Sequence, residues 1–302
     1  MSSILFSVLG IYIFIAVGFI AKMSFKEKID DKTITILSVY FLQIFLTFWG
    51  LLKRPIDSSL LLAPSLYAFI VFIVLVGSVL VARQLFNDPK ERSIATVAAL
   101  IGNTGNLGIP LGIALFGEQS IPYTTIINLV NVFIVYTVGV YFYSRGEFDV
   151  KSSLLNIVKL PILWAALIAI LLNFYGYVPS DVIDKTLQMG AYASMVLQLV
   201  LFGIYLYGTK IHVINRTLIA WVSGVKFIVL PLVAYAILSL FSIDPMIKSI
   251  LFLELIVPLA VANVNLGSLY ECRPKDITAL VFITSLLFLA IIFIAIKIMK
   301  TF

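Results

Sequence analysis

Long apolar runs separated by short polar connectors dominate this chain. Stretches of about 20 mostly apolar residues, the length a helix needs to cross a bilayer, fall at roughly 4–21, 33–52, 60–82, 93–116 and 121–143. Five more follow at roughly 157–175, 187–208, 217–241, 246–270 and 277–296. The pattern predicts ten transmembrane helices and an all-α polytopic membrane protein. The widest polar connector, about Ser144 to Asn156, divides the chain into a first repeat over 1–143, a cytoplasmic connector over 144–156 and a second repeat over 157–302. Five spans per half turn the second half upside down relative to the first, which is the inverted-repeat plan of many secondary transporters.

Two runs contain residues that an unbroken helix in lipid does not tolerate. The fourth carries Asn103-Thr104-Gly-Asn106-Leu-Gly-Ile-Pro110. The ninth, fourth in its own half, carries Pro258-Leu-Ala-Val-Ala-Asn263-Val-Asn265-Leu-Gly267. Glycine and proline interrupt the helix and the asparagine amides need partners that lipid does not offer. Irregular backbone at this depth is tolerated where it is buried in protein or lines a cavity, and interruptions at corresponding positions of two halves point to a binding site. Amides that both donate and accept suit a substrate carboxylate or a coupling cation. The competing reading is a tight helix crossing, with Gly108 and Gly112 as a small-xxx-small pair and the asparagines as interhelical glue.

Two ionisable residues sit deep in spans: Lys226 in the eighth and Glu254 in the ninth, each about ten residues from a membrane face and so near mid-bilayer. At matching depth they are expected to pair, Lys226 supplying positive potential for an anionic substrate and Glu254 a proton-coupling carboxyl. Gln43, Gln188 and Gln198 read as interhelical hydrogen bonds, whereas Asn128 and Asn131, three apart on the span after the first interruption, share a face and join the candidates. Trp49, Tyr175 and Tyr177 read as interfacial anchors.

Composition narrows the class. Of 302 residues, 62% are hydrophobic and 12% charged, with a mean hydropathy of +1.12; ordinary soluble domains carry about 25% charged residues. The net charge of +6 does not indicate nucleic acid, because the basic residues lie in connectors and not along one face. Of these residues, 14 fall on one side of the predicted topology and 6 on the side of the termini. The positive-inside rule then makes both termini extracytoplasmic in a multi-pass plasma-membrane protein. Cys272 and His212 are the only residues of their kinds, so no internal disulfide and no Cys/His metal cluster forms, and no cofactor is expected. The first run lacks a basic leader and a cleavage site, so it reads as a retained helix. No His pair, aspartate pair, GxSxG elbow or P-loop argues for an enzyme or an ATP-driven pump, and Gly102, Gly105 and Gly108 do not have dinucleotide-loop spacing.

The run Gly-Asn103-Thr-Gly-Asn-Leu-Gly-Ile-Pro110-Leu, followed by Ala-Leu-Phe-Gly117-Glu, resembles the fourth span of the auxin efflux carrier family, whose prokaryotic members are often described as malate or malonate transporters. Lys226 ahead of Pro231 and a proline-then-asparagine ninth span ending in Leu-Tyr270 are similar too, and the overall plan more remotely resembles the sodium and bile-acid symporters. The resemblance implies a scaffold of spans 1, 2, 6 and 7, a transport domain of spans 3–5 and 8–10, and broken spans 4 and 9 that cross beside the substrate. It implies elevator-type movement, a homodimer, and a site on Asn103, Asn106, Pro110, Pro258 and Asn263 with Lys226 and Glu254 nearby. A small organic anion is the expected substrate. A sodium-coupled symporter or a non-transporting receptor is the alternative.

Overall fold

The computed structural model describes residues 2–144, 158–207 and 215–302, and within these the only non-helical pairing is one isolated antiparallel bridge, Gly102 with Leu259. The helices are α1 (Ser2–Phe25), α2 (Asp31–Leu52), α3 (Ser58–Leu85), α4 (Pro89–Val97), α5 (Thr104–Phe116) and α6 (Glu118–Tyr143). They continue with α7 (Pro161–Phe174), α8 (Asp181–Tyr207), α9 (Arg216–Ser239), α10 (Pro245–Ile256), α11 (Ala262–Leu269) and α12 (Pro274–Met299). Among the described residues six, α2, α3, α6, α8, α9 and α12, are long and apolar enough to cross a membrane. The fourth and ninth runs of the sequence are each two shorter helices, α4 with α5 and α10 with α11. Apart from Ser144, the expected connector 144–156 lies outside the described residues, as does His212.

Helix starts follow local chemistry. The side chains of Asp88, Asn215 and Asp244 accept from backbone N–H groups in the first turns of α4, α9 and α10, and proline follows directly in α4 and α10, where its missing N–H costs nothing. Wide π-turns interrupt several helices. Those at Thr104–Gly108 and Val225–Val229 each end two residues before a proline, Pro110 and Pro231. A proline inside a helix has no N–H for the carbonyl four residues back and its ring crowds that carbonyl, and widening the preceding turn relieves both.

Two compact units emerge: one of residues 1–61, 105–129 and 155–208, the other of residues 62–104, 130–154 and 209–302. In the first, α8 is the central helix, with α1 and α2 packed on it and α7 on α2. Gly18 of α1 lies against the backbone of Val200, and Gly203 of α8 against the backbone of Ile15 and Phe19, so the two main chains touch. Trp49 does not sit at a membrane interface as its position near a span end suggested. It is 1% exposed and packs with Leu46, Ile109, Ile121, Ala191 and Met195, because its face of α2 is turned toward α8. Tyr175, by contrast, is 87% exposed. Glu118 accepts from Lys53 (3.2 Å), Gln188 (3.0 Å) and Tyr192 (3.1 Å), tying the start of α6 to the end of α2 and to α8. In the second unit α9, α10, α11 and α12 pack against one another, and α4 packs against α9 and the end of α6.

Gly203→Val puts a branched side chain into a backbone-to-backbone contact and is expected to destabilise the first unit by roughly 1–3 kcal/mol. Gly77→Ala, with nothing within 4 Å of the added methyl, is expected to be neutral or slightly stabilising. Thermal unfolding of the two variants in detergent compares them directly.

Candidate functional site

The site begins with two chain breaks that cross inside the second unit. Val257, forced out of the helical region by the proline after it, is extended (φ −52°, ψ 145°), and α10 ends there. Ile101 (φ −93°, ψ 87°) ends the helical stretch that continues α4 through Leu100. The two extended segments pair antiparallel: the Asn103 N–H donates to the Pro258 carbonyl (2.8 Å) and the Ala260 N–H to the Ile101 carbonyl (2.9 Å), with Gly102 facing Leu259 between them.

Side chains take up much of what the two helices give up. Asn131, on α6, donates to the Gly102 carbonyl (2.9 Å) and to Thr104 Oγ1 (3.0 Å), while its oxygen accepts from the Tyr67 hydroxyl (3.3 Å). Asn263, in the first turn of α11, donates to the carbonyls of Ile101 and Ala260 (both 3.0 Å) and accepts from Tyr143 (2.8 Å). Thr284 of α12 accepts from the Leu259 N–H at 3.4 Å. Each asparagine thus has both amide protons and its oxygen engaged, so these two candidates clamp the crossing. Tyr67, Tyr143 and Thr284 are partners that sequence reading missed. Tyr143 at a span end looks like an interfacial anchor, and a lone threonine inside a span carries no signal.

Other polar groups at the crossing remain unmatched. The Asn103 side-chain nitrogen is buried without a hydrogen-bond partner, and both carboxylate oxygens of Glu254 are buried without one. Lys226, on the π-turn of α9, is 1% exposed, and its Nζ lies 3.0 Å from where a Cβ on Gly102 would stand, beside Val257 at 3.2 Å. Gly102 thus allows a close approach: even a methyl group there would crowd the lysine and Val257. Lys226 and Glu254 lie near enough for their charges to interact. They do not, however, form the expected ion pair within 4.0 Å. The ion pairs among the described residues lie at helix ends instead.

Pro258 and Thr104 are buried at the crossing, whereas Asn265, one turn into α11, is exposed. Asn106 and Pro110 fall in the first unit, on the π-turn and at the start of the α-helical part of α5. There Asn128 comes so close to Gly105 that a Cβ would meet its Oδ1 at 2.8 Å, and Gly112 packs on Thr124, in keeping with tight packing at that member of the Gly108–Gly112 pair.

A second constellation closes one end of the second unit. Arg273, in the left-handed region (φ 46°) just before α12, donates to Asp88 (2.7 Å), Glu91 (2.7 Å) and Asp276 (3.3 Å). Asn215 donates to the other Glu91 oxygen (3.0 Å). Three helix starts, of α4, α9 and α12, are linked through Arg273 and Glu91. Burial works against the charge on Asp88, but hydrogen bonds from Arg273 and from the N–H groups of Glu91 and Lys90 outweigh it and hold the carboxyl below the usual carboxylate range. The same ion pairs raise Arg273 against its own burial.

Comparison with known proteins matches the chain twice in succession, over residues 3–152 and 147–296, to the membrane transport protein family. The chain belongs to that family. The family resemblance carried by the residues around Asn103 and Pro110 is thereby borne out. A protein of Methanocaldococcus jannaschii described as an uncharacterized transporter is 28% identical to this family member over 296 residues, covering 94% of the present chain and 95% of that relative. The apolar helices agree with a multi-pass membrane protein, and membership makes transport, not catalysis, the general activity of this chain.

Asn131→Ala leaves the Gly102 carbonyl and Tyr67 without their partner in a buried setting and is expected to cost roughly 1–3 kcal/mol for each group left unsatisfied, read as a lower unfolding temperature. Because Asp88 titrates lower in the folded chain than in the unfolded one, its contribution to stability is complete above the ordinary carboxylate range and lost as pH falls through its depressed folded value. Unfolding scans of the parent and of Asp88→Asn across that acidic window should therefore converge, with the parent more stable only above it.

Proposed function

We propose that this protein is a secondary transporter that carries a small organic anion, a carboxylate, across the plasma membrane by elevator-type alternating access. The single observation that carries this reading is the antiparallel crossing of two interrupted helices with Lys226, Glu254 and the Asn103 amide buried beside it. A buried ammonium group and an unmatched amide donor form an environment that a carboxylate satisfies, and the N-terminus of α11 adds a partial positive charge at the same break.

The architecture in this reading is ten spans as a 5+5 inverted repeat, over 1–143 and 157–302 with the connector between them. Two observations support it. The family match repeats once in each half, and the helices fall in the same order in both: three helices, a broken pair, then one long helix. The scaffold of spans 1, 2, 6 and 7 is supported by α1, α2, α7 and α8 grouping in one compact unit, which also takes in α5 and the first half of α6; the remaining spans form the transport domain in this scheme. Both termini are extracytoplasmic in this scheme and the carrier works as a homodimer. Asn103, Thr104, Lys226 and Pro258 face the substrate, with Asn106, Pro110 and Asn265 completing the candidate set. Glu254 couples transport to protons. Its carboxyl, without a hydrogen-bond partner and out of ion-pair reach of Lys226, is placed to gain and lose a proton as the site fills and empties.

Proteoliposomes with an imposed pH gradient test this with labelled malate, malonate and indole acetate. Uptake of one of these anions is expected, reduced by about tenfold or more in Lys226→Gln and Asn103→Ala. Glu254→Gln is expected to keep exchange of the anion while losing its dependence on the pH gradient. Absence of flux under pH and sodium gradients, from protein that is monodisperse and folded, would overturn the transporter reading in favour of a receptor.

A further inference from the structure

Away from the crossing, a cavity of about 370 Å³ opens between the end of α3, the start of α4 and the end of α6. Two arginines, Arg83 and Arg92, line it with Val79 and Tyr141. Among the described residues, the carboxylates closest to them along the chain are already committed. Asp88 and Glu91, on the same stretch of chain as Arg92, are both engaged by Arg273, and Asn215 holds the second Glu91 oxygen. Neither Arg83 nor Arg92 has an ion pair or a side-chain hydrogen bond with a described residue. The hydroxyls on the α4 wall do not compete for an anion's partners, since Ser93 and Thr96 donate to the carbonyls of Pro89 and Arg92. Two arginines on one cavity, neither ion-paired to a described carboxylate, match the charge and the forked hydrogen-bond geometry of a phosphate group.

The surface below Arg83 indicates where such a phosphate comes from. Phe69, Ile73, Val76 and Leu80 of α3 are all exposed, at the helical spacing that brings them onto one stripe, and the next position on that stripe is Arg83. A continuous apolar stripe that ends in a cation at a helix terminus has the profile of an acyl chain running up to its headgroup. A free phosphate would use the arginines and leave the stripe without a role. We therefore infer that the cavity bounded by Arg83 and Arg92 is a binding site for the phosphate of an anionic phospholipid, whose acyl chain lies along the exposed stripe of α3. A zwitterionic choline lipid fits less well, because its ammonium group would meet two positive side chains.

The test uses the full-length protein incubated with phosphatidylcholine vesicles that do or do not contain phosphatidylglycerol, then isolated in detergent, with the co-purifying phosphatidylglycerol quantified. In parallel, equilibrium dialysis measures binding of radiolabelled inorganic phosphate to protein held in phosphatidylcholine alone. Retained phosphatidylglycerol is expected from the parent, reduced about fivefold for each of Arg83→Ala and Arg92→Ala. Lys275→Ala, a basic residue outside the cavity, is expected to leave it unchanged. Arg83→Lys, which keeps the charge and loses the fork, is expected to fall between parent and alanine variant, and it serves should the alanine variants not fold. Binding of inorganic phosphate without lipid retention would overturn the lipid assignment. Retention that neither arginine variant alters would overturn the site. Because the readout is bound lipid and not flux, it stands apart from the transport assays.

Discussion

Backbone polar groups inside a membrane must find partners within the protein, and the crossing of the two interrupted helices depends on meeting that requirement. Breaking a helix at Ile101 and another at Val257 releases amides and carbonyls that water would satisfy elsewhere. Here the two broken chains satisfy each other through the bonds flanking Gly102 and Leu259, and Asn131, Asn263 and Thr284 take up further groups. A single unmet carbonyl at this depth costs several kcal/mol, so the side chains that complete the pairing are as much part of the crossing as the chain itself. Tyr67 and Tyr143 then fix the orientation of the two asparagine amides by donating to their oxygens.

Structural and functional polarity separate on that basis. Asn131 and Asn263 are saturated by their neighbours and act as braces. The Asn103 amide nitrogen and the Glu254 carboxylate are buried and unmatched, and natural proteins rarely leave such groups without a reason connected with ligands or movement. Lys226 belongs with them: its long side chain ends against a glycine, held near but not paired with Glu254. An arrangement that leaves a cation, an acid and an amide only partly compensated at one place is suited to a ligand that arrives and departs.

Much of this was legible in the sequence. The runs of apolar residues gave all-helical membrane architecture, and Gly102 through Pro110 with Pro258 marked the two interruptions because proline and glycine leave physical consequences that do not depend on context. The depth of Lys226 and Glu254 was equally plain from counting along a helix. What sequence did not disclose is pairing. Asn263 and Asn265 look alike in a string of letters, yet one is fully bonded and the other exposed, since two residues along a helix turn a side chain through about 200°. Trp49 looked interfacial because position along a span says nothing about which face meets a neighbour. Asp88, Glu91 and Arg273 carry no signal in the sequence, although they tie helix starts together, because contacts across some 180 residues of chain have no local signature.

The π-turn that carries Lys226 has a consequence for how this family member tolerates change in length. A π-turn holds one residue more than an α-turn and so turns less per residue, and removing a single residue from Val225–Val229 would restore regular winding while the helix on either side keeps its facing. Only the widened turn would be rebuilt, and with it the setting of Lys226 against Gly102. The extra residue is thus absorbed where it stands, so that a change of one residue in length here re-aims Lys226 and leaves the rest of α9 in register.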